Sequence, residues 1–334
     1  MQLSVIIVNF RSAADICNCL ESAMQYRSCQ SFEWIVVDND SADDSKEVIT
    51  SQYPFVRWIN MGYNAGFSRA NNAGIKASTS DIVLLLNPDT LIMDDAIAQC
   101  YMRFKDSKYS AASAQLYNID HSPQITGNFF MTGGLNHLLP LPYLGPFLKA
   151  IALSLRVKKT NVQAASNEEK VHWINGAFMM VKKSVLNKAG LFDEDFFLYF
   201  EEIEWCSRLL ATGEICVYGD LKVVHIQGSS INKAVSNKEK GYTNLWNKKG
   251  LQLLVSGHLR TRKQFGIAWF LFHLITHSLE IPIFFLGVLF ENIVKLKNPF
   301  LNLGNVKNYS LNVLKVWTLV WRISLNRPYF YKML

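Results

Sequence analysis

Carboxylates recur in this chain where apolar runs stop. Asp38 and Asp40 follow Ile35-Val36-Val37, Asp89 closes the triplet Asn87-Pro88-Asp89 after Ile82-Val83-Leu84-Leu85-Leu86, and Glu201, Glu202 and Glu204 crowd together further on. A carboxylate fixed just beyond a strand can hold a divalent cation against a diphosphate. Mg²⁺ takes one or two protein carboxylates and fills the rest of its octahedron with phosphate oxygens and water. Pro88 has no N–H and drives Asn87 toward an extended conformation, so pairing should stop there. Asp89 would then lie at the carboxyl end of a strand, the ligand edge of open α/β sheets. A strand closing in an Asx turn uses the same residues, and on the triplet alone both readings stand.

The run FLYFEEIEWCSRLL predicts a helix whose first turns carry the three glutamates, with Gly213 as its C-cap. The macrodipole favours ionised carboxylates there, so an acid kept charged would accept a proton rather than donate one. Glu204 and Arg208 are four apart, and a surface ion pair is the simplest role for Glu204. A solvated helix start would account for the whole cluster. His225, after Val223-Val224, reads by itself as a structural histidine.

The elements that must position these groups read as repeated β-turn-α units. Residues 4–8, 32–37, 56–60 and 82–86 are strand-like; Ile16, Leu20 and Met24 mark a first helix, Ser41 with Asp44 and Ser45 supplies N-cap chemistry for a second, and a glycine-bearing loop at 61–67 opens a third. The alternation predicts an α/β fold with a mostly parallel sheet flanked by helices. The loop lacks GxGxxG and GK[ST], yet Gly66 permits close backbone approach to a ligand. A helix at 96–104 and strands at 113–117 and 173–181 extend the pattern. Residues 121–170, with four prolines and an apolar run at 135–155, read as an insertion beside the site or a helix patching the core.

With 334 residues, 49% of them hydrophobic, the chain can bury a large core. Its six cysteines form no CxxC pair and no basic-then-apolar leader precedes the first strand, so a reducing, intracellular setting is expected. The net charge of +7 is unevenly spread: residues 1–220 hold 18 Lys and Arg against 24 Asp and Glu, residues 221–334 hold 16 against 3. Long apolar runs in the basic part favour an anionic membrane surface over nucleic acid as its partner.

SVIIVNF, VVDNDSADDS, GYNAGFSRANNAGI and LLLNPDT, in this order, resemble the nucleotide-binding half of the family 2 glycosyltransferases of GT-A fold, a Rossmann-like fold, and in particular the rhamnosyltransferase-like group of O-antigen and polysaccharide biosynthesis. The segment GLFDEDFFLYFEEIEWCSR resembles the acceptor-side motif GGFDxxFFxYxEDxDLxxR of that family. The resemblance implies that Asp38 contacts the nucleotide base, with Asn9, Asp40, Asn64, Gly66, Phe67, Asn71 and Asn87 lining the donor side. It implies that Asp89, in the place of the DxD motif, holds a divalent metal (Mg²⁺ or Mn²⁺) and the diphosphate, with His225 in reach of both. Glu202 stands where the general base stands, with Glu201 beside it as the other candidate. Trp173 and Gly176 would meet a sugar, the glycine by letting it approach the backbone. The donor expected is a dTDP- or UDP-sugar.

From these readings the expected organisation is a catalytic domain at 1–230, with a donor half at 1–118, an insertion at 121–170 and an acceptor half at 171–230, followed by a basic helical region at 231–334. In that region the run 265–290 is long enough to cross a bilayer. His273, His277 and Glu280 nevertheless draw a polar stripe along it, which favours a helix in the membrane interface or packed on protein. The expected function is inverting transfer of a sugar, rhamnose or another hexose including galactofuranose, to a saccharide acceptor linked to polyprenyl diphosphate, at the cytoplasmic face of the membrane. A sugar nucleotidyltransferase would show a glycine-rich basic N-terminal loop, and a nicotinamide enzyme a dinucleotide fingerprint where NFRSAAD stands. A non-catalytic scaffold of the same fold is the remaining alternative.

Overall fold

A computed structural model describes residues 2–226 and 244–334. The predicted loop after His225, Gln227-Gly228-Ser229-Ser230, and the basic residues Lys233, Lys238 and Lys240 lie outside them. Two compact units are present. Within the described residues, one holds 2–129, 160–197 and 201–226, the other 130–159, 198–200 and 244–334. The compact division therefore departs from the linear one expected: the middle of the insertion groups with the C-terminal helices.

The first unit opens with β1 (Leu3–Asn9), α1 (Ala13–Met24), β2 (Glu33–Asp38), α2 (Ser45–Gln52), β3 (Arg57–Asn60), α3 (Gly66–Ala77) and β4 (Ile82–Leu86). It continues through β5 (Thr90–Ile92), α4 (Ala96–Lys105), β6 (Ala111–Tyr117) and β7 (Gly127–Asn128). In the second unit lies α5 (Leu144–Ser154), after which the chain re-enters the first as β8 (Asn161–Val162), β9 (Glu168–Val171), β10 (Trp173–Ile174), β11 (Phe178–Lys182), α6 (Leu186–Ala189), α7 (Glu201–Leu209) and β12 (Ile215–His225). The main sheet runs β3-β2-β1-β4-β11-β6-β12-β5, with β9 also on β12, and a small sheet runs β10-β7-β8. β3, β2, β1 and β4 are mutually parallel, as are β6 and β12, while β11, β5 and β9 join antiparallel. The sheet is therefore mixed, its parallel part being the half built from the early repeats. Ile6, Val36 and Leu84 are buried at its centre, each such side chain worth about 1.5–3 kcal/mol on removal from water.

Two predicted elements differ. The apolar stretch from Trp173 to Val181 is not one strand but β10 in the small sheet and β11 in the main one. Asn175 makes the break: its N–H donates to Thr126 O (2.9 Å) and its Oδ1 accepts from Ala177 N (2.9 Å), an Asx turn that carries the chain from sheet to sheet at Gly176. Ser41 does not cap α2, which starts at Ser45 behind Asp44. Its hydroxyl is committed to Asp38 instead (2.6 Å).

The second unit contains α5 and three long helices, α8 (Lys248–Phe265), α9 (Ile267–Val294) and α10 (Leu303–Ser324). The polar stripe of α9 faces protein. His273 Nε2 lies 2.9 Å from Gly133 O, His277 Nδ1 3.0 Å from Tyr309 Oη, and Glu280 accepts from the N–H groups of Tyr143 (2.8 Å) and Leu144 (3.0 Å), capping the start of α5. His137 meets the Arg260 guanidinium through Nε2, an arrangement that requires its neutral form. Burial holds His137 and His277 well below the usual imidazole range, and brings His258 and His273 down to about 4.

These imidazoles are neutral in the fold but protonate near 6.5 once the chain unfolds. Their stabilisation is present above that pH and is lost as pH falls from about 6.5 toward 4. Each contributes up to about 1.4 kcal/mol per pH unit in that window, opposed only in part by Glu280, whose pKa burial raises. Thermal unfolding followed by circular dichroism should give a lower midpoint at pH 5 than at pH 7.5. A flat profile would show that the imidazoles are not held neutral.

Candidate functional site

Strand register assembles the candidate residues. Asn9 pairs with Asp38 across β1 and β2, and Asp38 with Asn60 across β2 and β3, so three strands end abreast at one edge. Leu86, the last residue of β4, pairs with Ile7 on one side and with Phe178, the first residue of β11, on the other. Asn87-Pro88-Asp89 therefore extends past the same edge, beside the Gly176-Ala177 entry to β11. His225 arrives there too, paired with Thr90.

Asp38 is held tightly. Its Oδ1 accepts from Asn9 Nδ2 (2.8 Å) and Ser41 Oγ (2.6 Å), and its Oδ2 from the Ser41 N–H (3.3 Å). Asn39 ties this corner to the next loop, accepting from Ala65 N (2.7 Å) and donating to Asn64 Oδ1 (3.1 Å), which also accepts from Gly66 N (3.2 Å). Asp40 stands exposed with φ of +65°, at the left-handed corner between them. Asn71 donates to the Phe67 carbonyl (3.0 Å), so its bond supports the helix.

The close approach at Gly66 is to protein. A methyl group there would lie 2.3 Å from Phe197 O, and φ is +72°, so both space and backbone conformation demand glycine. The next residue uses that proximity: Phe67 N donates to Phe197 O (2.8 Å). Asn72 adds two bonds, donating to Phe192 O and accepting from Phe192 N (both 3.0 Å). α3 thus grips the segment leading to the acidic cluster.

At Gly176 the two sides meet. A methyl group there would lie 3.6 Å from Phe67 Cζ and 3.6 Å from Glu202 Cβ, with ordinary contact to each. Asn87 N donates to Ala177 O (2.9 Å) one residue on. Phe67, Gly176, Glu202 and the Asn87-Pro88-Asp89 turn therefore share one neighbourhood, and Trp173 lies nearby in β10, against which α7 packs.

The three glutamates have separate surroundings. Glu204 is buried and receives Arg208 in a bidentate pair (Nε to Oε1 and Nη2 to Oε2, both 2.8 Å), with Arg208 also bonding the Ala189 carbonyl; the pair is a strut and not the surface pair expected. Glu201 begins α7 yet is not kept ionised by the dipole. Its Oε2 is buried without a hydrogen-bond partner among the described residues, and burial, then the adjacent Glu202 charge, push its carboxyl well above the usual carboxylate range. Desolvation by several kcal/mol outweighs a dipole term of about 0.3–1 kcal/mol. Glu202 is partly exposed. Immediately before them Tyr199 and Phe200 both hold positive φ, +71° and +70°, strain of the kind found where function fixes the backbone.

Asp89 and His225 form the remaining constellation. Gln124 Oε1 lies 3.0 Å from His225 Nδ1 and its Nε2 donates to the His225 carbonyl (2.7 Å). With Nδ1 on Gln124, Nε2 is the ring atom that faces Asp89 Oδ1, 3.5 Å away, and Asn87 Nδ2, 3.4 Å away. Two buried acceptors this close suit a cation between them, since 2.1 Å bonds at right angles place ligand atoms about 3 Å apart. Among the described residues no third acidic, histidine or cysteine side chain completes a metal cluster. A cation here would take its other ligands from a substrate and water. Asn39, Ser41, Gln124 and Phe197 were not marked as site residues by sequence; Asn39 and Ser41 lie inside VVDNDS and Phe197 inside GLFDEDFF, while Gln124 carried no signal.

The parallel β3-β2-β1-β4 order, its antiparallel continuation through β11 and the acids at the strand ends define an α/β domain of GT-A type. Residues 4–143 match Glycosyl transferase family 2. A low-salt glycan biosynthesis hexosyltransferase of Haloferax volcanii is 31% identical over 62% of this chain and 61% of its own length. A rhamnosyltransferase of Escherichia coli is 25% identical over 54% of this chain and 67% of its own. An N-acetylglucosaminyl-diphospho-decaprenol L-rhamnosyltransferase of Mycobacterium tuberculosis is 24% identical over 60% and 68%. The chain thus spans about three fifths to two thirds of these relatives' lengths.

Substitution at the two glycines should have opposite consequences. Gly66→Ala should cost more than about 2 kcal/mol, through the clash and the positive φ. Gly176→Ala should leave stability within about 1 kcal/mol, because its methyl makes ordinary contacts. Urea unfolding measures both, and equal losses would contradict the packing described.

Proposed function

We propose that this chain is an inverting glycosyltransferase that moves a hexosyl unit, rhamnose in the first instance, from a dTDP- or UDP-sugar to a saccharide acceptor carried on polyprenyl diphosphate. The observation that supports it best is the placement of Gly176 between Phe67 and Glu202, one residue from the backbone bond that anchors the Asn87-Pro88-Asp89 turn. A donor lying along the strand ends, base toward Asp38, would bring its anomeric carbon to that neighbourhood. The names of the relatives favour rhamnose, with another hexose as the second reading.

In this reading Glu202 takes the proton from the acceptor hydroxyl as its oxygen attacks the anomeric carbon. The bond to the diphosphate breaks on the opposite face, and the electron pair leaves with the phosphate oxygen. One displacement inverts the configuration. Asp89 and His225 would hold Mg²⁺ or Mn²⁺, the imidazole favouring Mn²⁺. Such an ion would neutralise charge on the departing diphosphate. Gln124 keeps the His225 ring in the tautomer that serves this role. Burial raises the Glu201 carboxyl well above the usual range, so it holds a proton more readily than Glu202, and in this reading the base is Glu202. Trp173 would bound the acceptor.

Transfer assayed with a panel of dTDP- and UDP-sugars tests this. Glu202→Gln should lose about 10²–10⁴-fold in turnover while binding donor normally, and Asp89→Ala should lose both turnover and metal-dependent donor binding. Unchanged turnover in both would favour the scaffold alternative. Glu201→Gln, replacing a neutral acid by a neutral amide, should keep turnover within a few-fold. Because a carboxyl whose folded pKa is raised costs stability as pH climbs above 4.5, the same variant should be at least as stable as wild type at pH 8. A loss of turnover matching that of Glu202→Gln would reverse the two roles.

A further inference from the structure

Along α9 the second unit buries a face that mixes polar with apolar side chains and leaves a further apolar stripe outside. The side chains it buries include His273, His277 and Glu280, whereas Leu271, Ile275, Leu279, Leu286, Phe290 and Ile293 stand exposed at successive helical turns. Leu286 is 63% and Phe290 70% exposed. α10 buries an apolar face of its own, Val306, Val313, Val316, Leu319 and Ile323, and still exposes Leu311, Leu314 and Trp321. Trp317 joins the two stripes, donating from Nε1 to Ser278 Oγ (2.9 Å) beside Leu279. α5, whose start Glu280 caps, buries only Gly145 and exposes Phe147, Ile151 and Leu155 along one side. A surface helix normally does the reverse, and an apolar face this long marks an interaction surface.

Charge says what covers it. Residues 130–159 and 244–334 carry sixteen Lys and Arg against two acids. Of those two, Glu280 is buried and Glu291 is bonded by Lys295. Exposed cations stand at the ends of the apolar stripes: Arg156, Lys158 and Lys159 after α5, Lys295 and Lys297 after α9, and Arg322 near the end of α10. A second copy of the chain would bring like charge to like charge, and nucleic acid offers no apolar phase. An anionic bilayer supplies both an apolar phase and negative headgroups.

We infer that α5, α9 and α10 form an in-plane docking surface for an anionic phospholipid bilayer, entered from one side and not crossed. α9 is long enough to span, at 28 residues, but its polar stripe is bonded to Gly133, Tyr143, Leu144 and Tyr309 of the same unit. Lying in the plane, α9 keeps those bonds and sinks its outer stripe into the acyl boundary, while the flanking lysines and arginines meet phosphate. This deepens the reading above by naming the surface at which a lipid-carried acceptor would be met.

The test uses the full chain with phosphatidylcholine vesicles, with and without phosphatidylglycerol. Flotation should require phosphatidylglycerol and fall at high salt, and tryptophan fluorescence should be quenched by brominated acyl chains. The double variant Leu286→Glu, Phe290→Glu should lose at least tenfold in vesicle binding with an unchanged melting temperature, since both side chains are exposed. Membrane-bound protein should be released by alkaline carbonate. Wild-type flotation by the double variant, retention after carbonate, or a dimer that binds no vesicle would each overturn the inference. Donor-sugar titration of the same preparations separates the two readings: a protein that binds donor but no vesicle fails here alone, and one that binds vesicles but no donor fails only as a transferase.

Discussion

One backbone hydrogen bond, from Phe67 N to Phe197 O, joins the two halves of the candidate site. It depends on Gly66, where any side chain would collide with Phe197 O. The strand-end acids and the acidic helix come from stretches more than a hundred residues apart, and nothing in their local structure brings them together. The contact at Gly66, with the paired bonds from Asn72 to Phe192, fixes that distance. A glycine that looks made for a ligand thus does its work on protein, and any ligand must fit around the result.

Within the acidic cluster, environment assigns the roles. Glu201, Glu202 and Glu204 share a helix start, and the dipole treats them nearly alike. Burial does not. Glu204 is paired by a guanidinium fork, burial pushes the Glu201 carboxyl well above the usual carboxylate range, and Glu202 alone of the three is partly exposed. The same competition between desolvation and pairing runs through the second unit, where four buried imidazoles are held neutral and one buried carboxylate caps a helix.

The parallel half of the sheet was readable because its strands are short apolar runs ending in turn residues, and Ile82 to Leu86 forms as predicted. The places of Asp38 and Asp89 at strand ends and of Glu201 and Glu202 at a helix start were readable because strand ends and helix starts are local features. What escaped notice depends on distant partners. Trp173 to Val181 looks like one strand, and only the bond from Asn175 to Thr126, some fifty residues away, divides it. Gln124 lies in an insertion with no periodicity, yet it orients His225. The grouping of residues 130–159 with the C-terminal helices goes with contacts that neither segment reveals alone: Glu280 capping α5, His273 on Gly133 and Arg260 on His137.

The change of sheet at Gly176 has an evolutionary consequence. β10, β7 and β8 form a separate three-stranded patch, while β11 onward belongs to the main sheet. Mutations that reshape the patch can alter its surface without disturbing the main-sheet strand ends at which Asp38 and Asp89 lie. Under the function proposed, relatives built on this plan would diverge in what they glycosylate faster than in what they take the sugar from.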